Sequence, residues 1–403
     1  MSMKVRALLS FGVVLSAMWL SSCGHYVCHT TLGSSTCTPS GGGLSSGGGG
    51  GTTPDAFLFV ADAGGIQGLD VNTSAGTITN IPNPVTGIAN VFNYWMVIAQ
   101  GKYMYVGYPS IGLIYGYTIG ADGSMSSISG NPFNVPYMIT STIGGSQAII
   151  TNPAGTLLFV LEPSANALYV YSIGTGGGLT QVGSVVFLPF EPFNLATDGL
   201  GKYLYVSNSV GGSTNAIAAY AIGSDGTLTT VPNSPFVSNG VNLNYALAQM
   251  QGDSSGKYMI GTTSSITASD PHLYVLGIQS DGEIIPVTGS PFPTTFSPSF
   301  VAVQPSTGGT LVYSITVDSL AVGGQVEGYQ LSPSTGTLTA ISGSPFPVTG
   351  DYGQFDQAGT FFFVRDLFNK DLSGYSVGTS GVLGQSAAQV GWGPGSWAPV
   401  DIP

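Results

Sequence analysis

Basic residues are almost missing from this chain of 403 residues: seven Lys and Arg stand against 19 Asp and Glu. Beyond residue 22 only Lys102, Lys202, Lys257, Arg365 and Lys370 remain, while all 19 carboxylates persist, a formal charge of −14. A surface of that sign argues against nucleic acid and anionic headgroups as partners. Charged residues make up 6% of the chain, so solubility rests on Ser, Thr, Asn, Gln and exposed backbone. Histidine is equally scarce, with three copies, of which His272 alone lies beyond residue 29. Because His is the most frequent general base, acid–base chemistry is poorly provided for. No His-Glu-x-x-His pair or phosphate loop occurs.

What the chain does have is one short motif, seven times over. The copies are Phe57–Val60 (FLFV), Tyr103–Val106 (YMYV), Leu157–Val160 (LLFV), Tyr203–Val206 (YLYV), Tyr258–Gly261 (YMIG), Leu311–Ser314 (LVYS) and Phe361–Val364 (FFFV). They are spaced 46, 54, 46, 55, 53 and 50 residues apart. Aromatic and β-branched runs bounded by Gly, Asn, Asp and Ser read as buried strands. A strand returning every ~50 residues marks a radial repeat, because one such unit cannot bury its own apolar face.

The fourth unit shows the grammar. Phe193–Thr197 is a first strand, Asp198–Gly201 a turn, Tyr203–Val206 a second strand and Ser207–Asn215 a longer loop. Ala216–Ile222 is a third strand, an Asp-Gly turn follows at 225–226, and Thr227–Val231 begins a fourth. Third strands recur at Leu113–Ile119, Ala167–Ile173, Leu273–Ile278, Val326–Leu331 and Leu372–Val377. An exit signature recurs at Asn131-Pro-Phe133, Ser234-Pro-Phe236, Ser290-Pro-Phe292 and Ser344-Pro-Phe346. There Pro ends strand pairing, having no N–H to donate, and the Phe is expected to wedge between units. Four strands in an antiparallel meander are the blade of a β-propeller. Seven units predict an all-β, seven-bladed β-propeller over residues 54–403.

The N-terminus is organised differently. Residues 1–22 combine a positive Lys4 and Arg6 with an apolar run of 14 residues, Ala7–Leu20, the pattern of a signal peptide. Leu20-Ser-Ser-Cys23 resembles the bacterial lipobox, which implies lipid attachment at Cys23 and a membrane partner through that anchor. Gly24 follows, where an inner-membrane retention signal resembles Asp, so the outer membrane is the expected destination in a host that has one. Residues 23–53 are Gly/Ser-rich, with a five-glycine run at Gly47–Gly51, and read as a flexible tether. Within it Cys28 and Cys37 could form a disulfide or remain free thiols. His25-x-x-Cys28-His29 fits no zinc spacing, so no metal and no cofactor is expected.

The succession of GKYMYV at Gly101, GKYLYV at Gly201 and GTLT at Gly226 and Gly336 resembles the seven-bladed lactonase-type and YVTN-type propellers, over nearly all of residues 54–403. Among such proteins, enzymes are similar to 6-phosphogluconolactonase or carboxymuconate-lactonising enzymes, and others are surface or binding proteins. The resemblance implies fold more than function, since the motifs are blade scaffolding. A phosphorylated substrate would need cationic groups, and the propeller has one Arg.

Propeller geometry brings the loops after second strands and before first strands to one face, around a channel lined by first strands. The charged candidates there are Asp62, Glu162, Glu191, Arg365 and Asp366. Glu162 stands out by its apolar neighbours, Phe159-Val-Leu-Glu162. Arg365 and Asp366 read as an exposed pair or a substrate clamp, and His272, after Asp270-Pro, as a turn residue or a general base. Two functions remain open: a monomeric, lipid-anchored propeller that binds a small molecule or protein through its loop face, or a lactone hydrolase.

Unit one lacks a first strand, and the chain's end supplies one too many. Ser396–Ile402 matches first strands such as Ser299–Gln304, so it is expected to pair with Phe57–Val60 and close the ring. Pro399 must then sit at a position that needs no N–H.

Overall fold

The computed structural model describes residues 26–31, 34–39, 56–62, 65–72, 77–86, 95–108, 112–135, 149–208, 216–237, 247, 249–263, 270–305, 311–316, 324–366, 371–390 and 396–401. The signal segment, Cys23 and the five-glycine run lie outside the described residues. No helix among the described residues is long and apolar enough to cross a membrane.

The chain folds into seven antiparallel blades, of which blade 2 is Trp95–Ala99, Tyr103–Tyr108, Leu113–Ile119 and Met125–Ser127, and blade 3 is Ile149–Thr151, Leu157–Glu162, Ala167–Ile173 and Leu179–Gln181. Blade 4 runs Pro192–Thr197, Tyr203–Asn208, Ala216–Ile222 and Leu228–Thr230 from the axis outward. Blade 5 is built the same way from Gln249–Gly252, Tyr258–Thr262, His272–Ile278 and Ile284–Pro286. Blade 6 uses Phe300–Val303, Leu311–Thr316, Gln325–Leu331 and Leu338–Ala340. Blade 7 uses Tyr352–Phe355, Phe361–Asp366, Asp371–Val377 and Leu383–Val390. In blade 1 the inner strand is Ser396–Asp401, antiparallel to Ala56–Asp62, with Leu58 opposite Pro399. One parallel bridge, Ala388 to Thr77, also joins the outer strands of blades 7 and 1.

The outer strand departs from the simple meander. After Leu228–Thr230 the chain bulges out and returns as Phe236–Val237, which pairs with the upper half of the third strand. The same split occurs at Phe133–Asn134, Val186–Phe187, Phe292–Pro293 and Phe346–Thr349. The four X-Pro bonds of the exit signature are cis. The residue before each Pro accepts from the third strand, as Ser234 Oγ does from the Ala219 N–H at 2.8 Å. Pro therefore marks the split of the fourth strand, and pairing resumes beyond it.

Core residues lie between blades. Alternation along Tyr203–Asn208 sends Leu204 and Val206 toward blade 3 and Tyr205 toward blade 5. Among the described residues the buried apolar side chains form seven clusters, one at each junction. The junction of blades 7 and 1 holds Phe363 and Leu372 against Leu58, Val60 and Leu69. Exit-signature Phe236 and Phe346 are buried in such clusters, while Phe133 and Phe292 are half-buried.

At one end of the ring, first and second strands are joined by a single repeated turn. Asp198 Oδ1 accepts the N–H groups of Lys202 and Tyr203 at 2.6 and 2.7 Å. Asp253, Asp356 and Asn152 do the same four and five residues on. Burial pushes the Asp198 carboxyl up, against the pull of these donors. Lys102, Lys202 and Lys257 belong to these turns, so three of the five basic residues beyond residue 22 occupy this end.

A second difference lies in the stretch expected to be coil. Tyr26–Thr31 and Ser34–Pro39 pair as a hairpin, with Cys28 opposite Cys37. Val, Thr and Tyr favour strands, and only Leu32 and Gly33 separate the two arms, a spacing that suits a two-residue turn.

Candidate functional site

The opposite end gathers the last residues of second strands and the first residues of first strands. Most of the charged candidates arrive there already engaged. Glu162 is 1% exposed and ends its strand. Its carboxylate accepts the Ala165 N–H and the Ser164 hydroxyl, capping the 3₁₀ turn Pro163–Ala165. Glu191 is exposed on the connection into blade 4. Asp62 ends the second strand of blade 1, and its side chain lies outside the described residues.

Arg365 and Asp366 do not act as a pair. Neighbours on a strand point to opposite faces, and the partner of Arg365 is Asp351. The guanidinium meets that carboxylate twice, Nη2 to Oδ2 at 2.7 Å and Nε to Oδ1 at 3.3 Å. It also lies 5.6 Å from the centre of the Tyr352 ring, which stands edge-on to Phe300 at 5.1 Å. A fork matched by a carboxylate is already satisfied as an anion receptor. Asp366 is buried on the other side of the strand.

His272 stands at the head of the third strand of blade 5, its Nδ1 2.6 Å from Asp270 Oδ1. Thr263 Oγ1 and Tyr274 O–H both donate to Asp270 Oδ2, the latter at 3.0 Å. Burial pushes the Asp270 carboxyl up, but these partners outweigh it and hold the group below the usual carboxylate range. With Nδ1 turned to the carboxylate, Nε2 is the nitrogen left to meet a ligand. The side chain is 36% exposed, so it is reachable.

The registers expose a local break in the repeat. At one level the second strands carry Val60, Val106, Val160, Val206, Gly261, Ser314 and Val364. Their cross-strand partners are Gln67, Tyr115, Tyr169, Ala218, Tyr274, Glu327 and Ser373. Blade 6 therefore places a buried hydroxyl where the other blades place Val or Gly on the second strand, and a buried carboxylate opposite it on the third. One residue further along, Ser207 and Thr262 stand where blades 3 and 6 carry Leu161 and Ile315. Asn194, cross-strand from Ser207, completes the set. The polar atoms of Asn194, Ser207, Thr262 and Ser314 are buried without a partner among the described residues. Asn194 and Ser207 face the junction of blades 4 and 5, and Thr262 and Ser314 that of blades 5 and 6. Buried polar groups are normally paired, so this arc on both flanks of blade 5 is where water or a ligand belongs. Among the described residues no group of three or more His, Cys, Asp or Glu could hold a metal.

Sequence reasoning reached His272, Glu162 and Arg365 but missed Asp351, Asn194, Ser207, Thr262, Ser314 and Glu327. The signal for Ser314 was present: the copy LVYS breaks the pattern that ends in Val.

No protein-family model and no curated protein matches the sequence. Solved structures do match it in fold. A proposed 6-phosphogluconolactonase from Bacteroides uniformis superimposes with a TM-score of 0.65 at 13% identity, over 86% of this chain and 100% of the other. A second proposed 6-phosphogluconolactonase, from Bacteroides fragilis, gives 0.61 at 14% identity over 88% and 100%. The periplasmic gluconolactonase of Pseudomonas aeruginosa gives 0.61 at 15% identity over 86% and 99%. Identities this low carry the fold alone: the chain shares the fold of these structures and is a seven-bladed β-propeller.

Proposed function

We infer that the chain is a ligand-binding propeller, held at the cell envelope by a lipidated Cys23, that recognises its ligand on the loop face around blade 5. The observation that carries this reading is the pair of neutral side chains at the junction of blades 4 and 5 without a partner among the described residues, Asn194 and Ser207, beside charged side chains already engaged. Neutral donors and acceptors recognise by hydrogen bonding, whereas Glu162 and Arg365 are held by their own loop and by Asp351. The sign of the whole chain favours a neutral or cationic ligand over an anion.

A second reading is favoured by His272. An imidazole held at Nδ1 by a carboxylate is the arrangement of a general base that activates water, and the structural relatives include a gluconolactonase. Incubating the purified protein with 6-phosphogluconolactone and a panel of unphosphorylated lactones separates the two readings. The binding reading expects no opening above the spontaneous rate. Turnover that is lost in His272→Ala or Glu162→Gln would establish a hydrolase instead.

A further inference from the structure

We propose that a monovalent cation, Na⁺ or K⁺, binds in the junction between blades 5 and 6, held by Glu327, Ser314 and Thr262. The three side chains come from facing surfaces. Ser314 and Glu327 are cross-strand partners in blade 6, on the side that packs Val312 and Tyr329 against blade 5. Thr262 shares the opposing side of its strand with Tyr258 and Ile260, which line the same junction. Exposure is 2% for Glu327, 1% for Ser314 and 0% for Thr262.

The charge decides the class of ligand. Glu327 accepts the N–H of Thr295 at 2.9 Å, through Oε1, and that of Phe296 at 3.5 Å, through Oε2. No Lys, Arg or His forms an ion pair with it among the described residues. Two backbone donors and the Tyr329 hydroxyl, none of them charged, leave the carboxylate without a counter-charge among the described residues. Buried charges are paired or coordinate a metal. Among the described residues Ser314 Oγ and Thr262 Oγ1 have no hydrogen-bond partner, so each has an acceptor lone pair free within that junction. Three hard oxygen donors suit an alkali or alkaline-earth ion, not a soft transition metal. A single carboxylate is neutralised by one positive charge, whereas a divalent ion would leave an excess buried charge of its own. The ion would stiffen the connection over residues 294–296, which carries the chain from the exit segment of blade 5 into the first strand of blade 6.

The test is thermal melting of the full chain in NaCl, KCl and choline chloride at equal ionic strength. One of the alkali salts should raise Tm above the choline value by roughly 2–4 °C. Glu327→Gln should erase the difference between salts. Ser314→Ala and Thr262→Val should each raise the salt concentration at half-effect by about fivefold, the loss of one neutral ligand. Those two variants decide the matter where Glu327→Gln fails to fold. Identical melting in the three salts would mean that a bridging water fills the space and would overturn the proposal. A salt-specific shift that survives in Ser314→Ala and Thr262→Val places the ion elsewhere, which overturns it too. A larger, Glu327-dependent shift in CaCl₂ would sink the monovalent assignment.

Discussion

The hydroxyl of Tyr205 in blade 4 donates to the carbonyl of Gly282 in blade 5 at 3.0 Å, across 77 residues of chain. Tyr105 reaches Gly177 at 2.6 Å and Tyr313 reaches Gly381 at 2.8 Å in the same way. Blades 2, 4 and 6 thus latch onto the hairpin turn of the next blade, while Phe59, Phe159, Ile260 and Phe363 fill this position in the others. Burial pushes the three phenols well above their ordinary pKa, so each remains a donor. The turn glycine is required for a tertiary reason as well as a local one. Gly282 has φ +90°, and a Cβ there would stand 2.5 Å from the Tyr203 ring.

Tyr205→Phe should therefore destabilise the propeller by about 1–2 kcal/mol, because it strands a carbonyl at a buried junction. Tyr203→Phe should cost less than ~0.5 kcal/mol, since its bond to the Ser280 carbonyl lies at the surface. Midpoints of guanidinium unfolding measure both. Equal losses in the two variants would show that burial of the latch contributes nothing.

Removing residues 396–403 takes away the inner strand of blade 1 and uncovers the edge of Ala56–Asp62. An exposed edge of this kind invites aggregation. With six residues of ladder lost, stability should fall by at least ~3 kcal/mol, whereas deleting eight residues within 40–51 should change little. A truncated protein that melts at the parent temperature would mean that Ser396–Asp401 contributes nothing to closing the ring.

Lipidation at Cys23 predicts that the protein partitions with membranes and that Cys23→Ser releases it to the soluble fraction. Two or more acyl chains make such anchoring stable, at ~0.8 kcal/mol for each buried methylene. Intact mass of the membrane-extracted protein reads the modification directly. An unmodified residue 23 in that sample would refute the lipobox reading.

Most of the strands could be read from the sequence because each is a local property. Tyr203–Val206 and its copies announce themselves by composition and by spacing, and third strands at Leu113–Ile119 and Ala167–Ile173 start and stop where the sequence puts them. The split fourth strand was less legible. Pro, with no N–H to donate, predicts an end of pairing, but only the three-dimensional path shows that Phe236 returns to pair with Ile217.

The candidate site was harder still. Arg365 and Asp366 are adjacent in sequence and separated in space, while Arg365 and Asp351 are separated in sequence and joined in space. Glu162 looked available among apolar neighbours, yet its carboxylate caps the loop that follows it.

Sequence alone determined the repeat, the blade grammar and the shortage of charge, because strand propensity, turn chemistry and composition act over a few residues at a time. Tertiary structure decided which side chains meet. Each blade must bury both faces against different neighbours, so partnerships such as Tyr205 with Gly282, or Tyr313 with Gly381, arise between units more than 50 residues apart. They depend on strand register and on which face of a blade a residue occupies, two quantities that no single stretch of sequence contains.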